Sequence, residues 1–311
     1  MSSDIRHLVT HSGMFHADEV FAAAILSILH PQARLVRTRD RALIEKLAPQ
    51  AITFDVGGAF DADRRIFDHH QTGAPAREDG TPYSSAGLVW RQYGMDWLAA
   101  RGVPEEFREA VFGSIDRNVI LPIDLVDSGR ITMKDLGPGQ ALSLISIIED
   151  MNPETGAGDG AAERAFREAR TIAGTMLDNR ASKVLDGLVA ERKVIAALQA
   201  QWGEPILVLE RGMPFRRAIE KAAADHVLFV VSPRATDWKV DAVAQVPGEY
   251  ALRHDLPEAW AGLEHEALEE ASGVGGAIFC HRNRFMACAK TRDGALDLAR
   301  RALPEDPSPT P

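Results

Sequence analysis

The sequence predicts an α/β protein, with a doubly wound, mainly parallel sheet in an N-terminal domain and a smaller α+β domain after it. Three observations predict this. At 311 residues the chain is longer than one core usually supports. Its first part alternates short runs rich in β-branched or aromatic residues with segments of helical period. After the Pro- and Gly-rich stretch from Asn152 to Gly160, a long helical pattern leads into a second series of short strands and helices.

Leu8-Val9-Thr10 reads as a buried strand, and the polar loop after it leads to a helix from Asp18 to Leu29. That helix carries Val20, Phe21, Ala24, Ile25 and Ile28 at helical spacing and stops at His30-Pro31. Arg34 to Thr38 reads as a second strand, Arg41 to Leu47 as a helix, and Ala51 to Asp55 and Arg65 to Asp68 as further strands. The resulting β-α-β-α-β-β order implies right-handed crossovers. Gln71 to Pro82, rich in Gly, Pro and charge, is expected to be a mobile loop able to close over a substrate.

Ser84 to Arg101, Glu105 to Ile115 and Gln140 to Met151 have helical period, and the apolar run from Leu121 ends at Asp127-Ser128-Gly129. A helix from Ala161 to about Ala200 is long enough to pack on both domains. Strands are then expected near Pro205 to Leu209, His226 to Val231, Lys239 to Val246, Gly276 to Cys280 and Phe285 to Ala289. Helices are expected around Phe215 to Ala223, Leu256 to Glu270 and Asp293 to Leu303. These boundaries give an N-terminal domain over 1–160, a C-terminal domain over 161–303 and a Pro-rich tail over 304–311 that is expected to be disordered.

The composition, 45% hydrophobic and 26% charged, is that of an ordinary globular protein. No run approaches the roughly 20 apolar residues of a membrane span. The first residues lack the basic and apolar regions of a signal peptide, so a cytoplasmic protein with no membrane partner is expected. A net charge of −10 disfavours indiscriminate binding to nucleic acid, though not a local basic groove. Cys280 and Cys288 sit in apolar surroundings and read as buried free thiols. A homo-oligomer is compatible with the sequence, which does not fix the oligomeric state.

His11, His16, Asp18, Asp55, Asp68, His69, His70 and Asp127 cluster at expected strand ends. Taken singly, each has an ordinary explanation: an N-cap for Asp18, a turn for Asp55, a satisfied core histidine for His11. Together, at the carboxyl edge of a parallel sheet, they form a mixture of imidazoles and carboxylates suited to Mn²⁺, Zn²⁺, Co²⁺ or, less well, Mg²⁺. Successive side chains of an extended segment point to opposite sides, so His69 and His70 are expected to do different work. Asp68 can accept from a histidine ring and fix its tautomer. Asp124 is a nearby rival to Asp127.

The stretches His11-Ser-Gly-Met-Phe-His-Ala-Asp-Glu19, Asp55-Val-Gly-Gly58, Phe67-Asp-His-His-Gln71 and Asp127-Ser-Gly129 resemble the DHH phosphoesterase superfamily. Within it they resemble the exonuclease branch named for the melanocyte proliferating gene product. The resemblance continues through Gly275 to His281, Arg284-Phe285 and Lys290 to Leu296, and so covers most of the chain. It implies two divalent metal ions, Mn²⁺ first, with His11, His16, Asp18, Asp55, His69 and Asp127 as ligands and Asp55 bridging. It implies that His70, supported by Asp68, faces the transferred phosphoryl group. His281, Arg284, Lys290, Gly275 and Gly276 would contact substrate. His16 stands where many members of the wider superfamily have aspartate, which favours softer ions than Mg²⁺, and Ala287-Cys288 stands where small glycines are the pattern.

What the resemblance implies chemically is hydrolysis of a phosphodiester by two-metal catalysis, as a 3′-5′ exonuclease on RNA, single-stranded DNA or short oligonucleotides. Between His281 and Arg301, Arg282, Arg284, Lys290, Arg292, Arg300 and Arg301 face only two acidic residues, a modest basic segment on an acidic chain. Arg300 and Arg301 are explained as well by a helix C-terminus. The alternatives are a small-molecule phosphatase or pyrophosphatase on the same metals, a metal-dependent amide hydrolase, and a non-enzymatic metal-binding regulator.

Overall fold

The structure, a computed structural model, describes residues 5–154, 156–158, 160–246 and 250–304. The tail expected to be disordered lies, apart from Pro304, outside the described residues. The chain forms two compact units that divide at Leu185/Asp186.

In the first unit, β1 (His7–Thr10), α1 (Ala17–Leu29), β2 (Arg34–Arg37), α2 (Arg41–Leu47) and β3 (Ala51–Phe54) are followed by two short strands, β4 (Phe60–Asp61) and β5 (Ile66–Phe67). The sheet order is β2-β1-β3-β5-β4, parallel except for β4. β4 has no counterpart in the sequence reading, because a two-residue strand shows no alternation. From β1 the chain crosses to β2 on one side, then back past β1 to β3 on the other. With right-handed crossovers this reversal puts α1 and α2 on opposite faces and opens a crevice beyond the carboxyl ends of β1 and β3.

α1 is buried all round from Ala17 to Leu26 and packs along α3 (Ser85–Ala100). A helix apolar on every side is a core helix. α4 (Glu105–Ile115) runs through a π-helical turn at Asp116–Ile120 into α5 (Leu121–Asp127). Asp127 therefore ends a helix, not the strand that its apolar run suggested. Pro122, which has no N–H to donate, stands just past the π-helical turn, where the backbone ladder shifts register and Leu121 N–H reaches back to Asp116 C=O.

The loop from Gln71 to Pro82 is pinned, contrary to the mobile segment expected of its composition. Arg77 makes a bidentate pair with Asp116, at 2.7 and 2.9 Å, and reaches the fully buried Asp124 at 2.7 Å. Asp124 also accepts from Ser84 N–H at 3.0 Å and Ser84 Oγ at 2.6 Å. Gly87 is needed beside it, since a Cβ there would overlap the Asp124 carboxylate.

α6 (Leu144–Asp150) is shorter than the helix expected from Gln140, because Ser143 caps it by accepting from Ser146 N–H. α7 (Ala161–Ala200) contains the division between the units, so the boundary is not the expected one at 160/161. Phe166, Ala169, Ala173, Leu177 and Ala181 are buried within the first unit, and Phe166 meets Phe15 edge-on at 5.4 Å. Asn152, which opens the Pro- and Gly-rich stretch, is held in place. Its side chain accepts from Phe15 N–H at 2.8 Å and donates to Phe15 C=O at 2.7 Å.

The second unit holds β6 (Ile206–Val208), α8 (Arg216–Lys221), β7 (Phe229–Pro233), β8 (Trp238–Ala242), α9 (His265–Ser272), β9 (Ala277–Cys280), β10 (Met286–Ala289) and α10 (Arg292–Arg301). The mixed sheet has the order β6-β7-β8-β10-β9, with only β6 and β7 parallel. Alternation along β7 sends Phe229 and Val231 into a core with Leu268 and Leu298, and Val230 into a second core with Val194, Leu198 and Ile219. The helix expected from Leu256 starts only at His265, because Pro257 and Gly262 (φ 75°) break it. β8 stops at Ala242, short of the expected Val246. Cys280 and Cys288 are buried and free. No helix among the described residues is long and apolar enough to cross a membrane.

Arg77→Ala strands a fully buried carboxylate, so it is expected to destabilise the first unit by about 3 kcal/mol. A lowered urea midpoint would read this out. An unchanged midpoint would mean that Arg77 does not hold the loop.

Candidate metal centre

Each strand end delivers its chemistry at the crevice. His11 follows β1, Asp55 follows β3, and Asp68, His69 and His70 follow β5. Asp55 sits at φ 54°, a left-handed conformation uncommon for a residue other than glycine. Its carboxylate divides between two histidines: Oδ2 lies 3.0 Å from His11 Nε2, and Oδ1 lies 3.0 Å from His69 Nε2.

The N-terminus of α1 supplies the rest of the buried charge. Asp18 Oδ2 accepts from Ser85 Oγ at 2.7 Å and lies 3.7 Å from His69 Nε2. Glu19 caps the helix by accepting from His16 N–H at 2.9 Å, and its other oxygen lies 3.0 Å from His11 Nε2. Glu19 is absent from the sequence-based ligand set. Its position three residues after His16, at the helix start, reads as a capping glutamate; its adjacency to Asp18 was the only available signal. On the far side, Asp127 Oδ2 lies 3.5 Å from His69 Nδ1. The rival Asp124 is committed to Arg77 and Ser84, as described above.

Four overlapping groups result, each with ligand atoms within 4.8 Å of one another: His11, His16 and Glu19; Asp55, His69 and His70; Asp18, His69 and Asp127; and Asp18, Glu19 and Asp55. All six expected ligands are thus brought together, with Glu19 added. His16 is the exposed member.

His69 and His70 do not point to opposite sides. Their ring centroids are 4.3 Å apart, because the strand ends at Phe67 and the next residues fold around Asp68. Asp68 Oδ1 accepts from His69 N–H at 2.8 Å, His70 N–H at 3.2 Å and the His70 ring at Nδ1, 2.7 Å away, while Oδ2 accepts from Gly58 N–H at 2.6 Å. With its oxygens occupied, Asp68 orients His70, whose side chain is 62% exposed at the mouth of the site.

The electrostatics are those of a site that needs cations. Burial lifts the Glu19 carboxyl to about 8, against the pull of His11. Burial and the Asp18 charge lift Asp127 to about 8, and burial and Asp55 raise Asp18. Burial opposes charge on both histidines, yet Asp55 and Glu19 carry His11 up to about 10, and Asp55, Asp127 and Asp18 carry His69 to about 9. Burial would raise Asp55, but the two histidines hold it at about 2. Without metal, the cluster meets its charge by keeping protons on its imidazoles and on the Glu19 and Asp127 carboxyls. Buried carboxylates crowded around imidazole nitrogens are also the donor set of Mn²⁺, Zn²⁺ or Co²⁺, so the residues fit divalent cations.

Two arginines, one ending β2 and one just after it, support the loop that carries His11. Arg37 donates to Gly13 C=O at 2.6 Å and lies over the Phe166 ring. Arg39 donates to Ser12 C=O at 3.0 Å and lies 3.0 Å from His11 Nδ1. The residues expected to touch substrate lie in the second unit and form two groups. His281 and Arg284 are at the β9–β10 turn, where Arg284 pairs with Asp255 at 2.9 Å. Gly275, Gly276 and Lys290 are at the other end of that hairpin, with Lys290 N–H donating to Gly276 C=O at 2.8 Å.

The family model MYG1_exonuc, described as an uncharacterised protein family (UPF0160), matches residues 7–303. The MYG1 exonuclease of Rattus norvegicus is 32% identical over 97% of this chain and 86% of its own length. That of Homo sapiens is 30% identical over 94% of this chain and 85% of its own. Among solved structures, the pGpG-specific phosphodiesterase PggH from Vibrio cholerae is 13% identical with a TM-score of 0.31, covering 96% of this chain and 97% of that one. Exonuclease RecJ bound to manganese is 15% identical with a TM-score of 0.27, covering 96% and 89%. By a family match that spans nearly all of its length, and by relatives at this identity over the same span, the chain belongs to the MYG1 exonuclease family.

Proposed function

We propose that the chain is a divalent-metal-dependent phosphodiester hydrolase, acting as a 3′-5′ exonuclease on RNA or short oligonucleotides with two Mn²⁺-type ions. The observation that carries this reading is Asp55, whose two oxygens face two histidines on opposite sides at 3.0 Å each. A carboxylate so divided suits a bridge between two ions, one on the side of His11, His16 and Glu19, the other on the side of His69, Asp18 and Asp127. The exonuclease names of the rat and human relatives support the same chemistry.

Bound at these residues, divalent cations would supply Lewis-acid polarisation of the phosphoryl group and acidification of water. The chain's own part is positioning and proton handling. Asp68 accepts the Nδ1 proton of His70 and so leaves Nε2 to face substrate; in the imidazolium form Nε2–H can give its proton to the departing oxygen, leaving a neutral ring still bonded through Nδ1–H to Asp68. His70 is placed for that role because it is the exposed histidine of the pair, while His69 is largely enclosed. The second unit's His281, Arg284, Lys290, Gly275 and Gly276 are assigned, within the same proposal, to contacts with the rest of the polymer. The two ends of their hairpin are separated by a four-residue strand, a span of roughly 13 Å. They would therefore meet different parts of an extended ligand.

Metal-stripped protein returned to Mn²⁺ is expected to shorten an end-labelled short RNA from its 3′ end as a ladder. Pyrophosphate and a generic small phosphodiester run in parallel. Rapid turnover of pyrophosphate with intact RNA would overturn the nuclease reading.

Substitutions should separate the roles at the site. Asp55→Asn and His69→Asn are expected to lose bound metal and at least a hundredfold in turnover, whereas His70→Asn should keep its metal and lose about 10² to 10⁴ in rate. Elemental analysis alongside kinetics decides this, and equal metal loss in the His69 and His70 variants would erase the distinction.

Metal binding should also release protons. His11 and His69 hold theirs up to about 10 and 9 in the metal-free site, and Glu19 and Asp127 up to about 8. Ligands bind metal deprotonated, so affinity is expected to rise with pH through that range and to fall below it. Calorimetry at pH 7 in buffers of different ionisation enthalpy should show net proton release; a buffer-independent enthalpy would contradict it.

A further inference from the structure

In the second unit's sheet, β6 is an edge strand that pairs only with β7. Leu209, just past its end, donates its N–H to Val231 C=O at 2.9 Å, so the alternate residues Val208 and Glu210 turn their N–H groups away from the sheet. The Gln201 carboxamide meets Val208 from outside, donating to its C=O at 3.0 Å and accepting from its N–H at 2.9 Å. Those are the two bonds that the backbone of an added strand would make there, so this side chain stands in for a peptide group. Glu210 N–H makes no hydrogen bond among the described residues.

A cavity of about 1060 Å³ lies against this edge, within the second unit. It is larger than the roughly 300–1,000 Å³ of small-ligand pockets, and so suits a length of polymer better than a compact ligand. On its α7 side, Ala196, Ala197 and Ala200 leave room beside the strand. On the other side Trp238, half-buried, packs against the core that holds Phe229 and Val231 and offers apolar surface where the sheet ends. Gly212 keeps the turn after β6 tight, since a Cβ there would come within 2.9 Å of the Pro233 carbonyl oxygen.

The cavity is lined mainly by positive charge, on a chain of net charge −10. Lys193 and Arg211 are exposed and have no ion-pair partner among the described residues; Arg292 has only its own neighbour Asp293, at 3.9 Å. Glu210 is the one carboxylate among the lining residues. Charge beside an edge strand also keeps strands from associating indiscriminately. The Gln201 cap already serves that end, and a cavity rimmed with unmatched cations goes beyond it.

We propose that the β6 edge is a docking surface for an extended, acidic segment of a partner protein, which adds to the sheet as a further strand in place of the Gln201 side chain. The backbone of the segment pairs with Val208 and Glu210. Its side chains alternate, apolar ones meeting Trp238 and Met213 and carboxylates meeting Lys193, Arg211 and Arg292. A nucleic acid has the charge for this groove but no row of amide groups to answer a strand edge.

The test selects a display library of random peptides of about eight residues, an ordinary strand length, on the full-length protein and on the Lys193→Glu/Arg211→Glu double variant. Peptides that combine Asp or Glu with apolar residues should be enriched on wild type and not on the variant. The best of them, resynthesised with a fluorescent label, is expected to bind the double variant at least about tenfold more weakly, the size of a charged hydrogen bond. N-methylation of alternate backbone amides should cost a similar factor, whereas Gln201→Ala, which removes the competing cap, should bind more tightly. A urea midpoint shows that each variant is folded, and RNA turnover should be unchanged in the double variant. No enrichment, enrichment that the double variant retains, or indifference to N-methylation overturns the proposal. An oligouridylate of similar length runs in parallel on metal-free protein; if it binds, loses its binding in the double variant and is not displaced by the peptide, the groove belongs to nucleic acid and the proposal fails.

Discussion

Like charge packed out of water is the constraint on which the first unit is built. Asp18, Glu19 and Asp55 are each nearly or fully buried and lie within 4.8 Å of one another. Such an arrangement is expensive unless each charge is paired or meets a cation. Two imidazoles are threaded between the carboxylates, and the protein can carry the cluster either by keeping those imidazoles protonated or by exchanging their protons for metal. Both states answer the same electrostatic demand, so the site can be fully assembled before any ion arrives.

Holding the cluster in place takes structure that does no chemistry. Asp55 is held in a left-handed conformation, and such strain persists only where the surroundings determine it. Here they do so from three directions: the histidine contacts, the N–H groups gathered by Asp68, and the buried face of β3. The His11 loop is fastened similarly. Asn152 binds both polar groups of the Phe15 backbone, Arg37 ties Gly13, and Phe166 of α7 closes over Phe15. The first half of α7 thus belongs with the metal centre that it helps to clamp.

The strands and the cluster of imidazoles and carboxylates at their carboxyl edge were legible in the sequence because both follow from local pattern. A buried strand is a short β-branched run, and the residue after it falls at the edge of the sheet. Asp127 was found for a partly mistaken reason, since it ends α5 and not a strand, yet helix and strand alike end where the apolar run ends. What could not be read were contacts between distant residues. Nothing local marks Asp124 as the partner of Arg77, which commits it away from the candidate ligands, or Asn152 as a clasp at the start of a Pro- and Gly-rich stretch. Glu19 was hidden by the equally good explanation of a helix cap, and its second carboxylate oxygen reaches His11 besides.

The placement of positive charge carries the same lesson further. On an acidic chain of net charge −10, the run from His281 to Arg301 stands out because its cations are consecutive enough to be seen. Arg37, Arg39 and Arg41 are spaced by two at the end of an edge strand, where charge usually serves to keep strands from associating. In the folded unit, however, β2 lies beside β1, so the segment after it reaches the loop that carries His11. Topology, more than composition, decides which cations stand beside the His11 loop. A chain that is acidic overall can thereby place arginines next to a cluster of its own buried carboxylates.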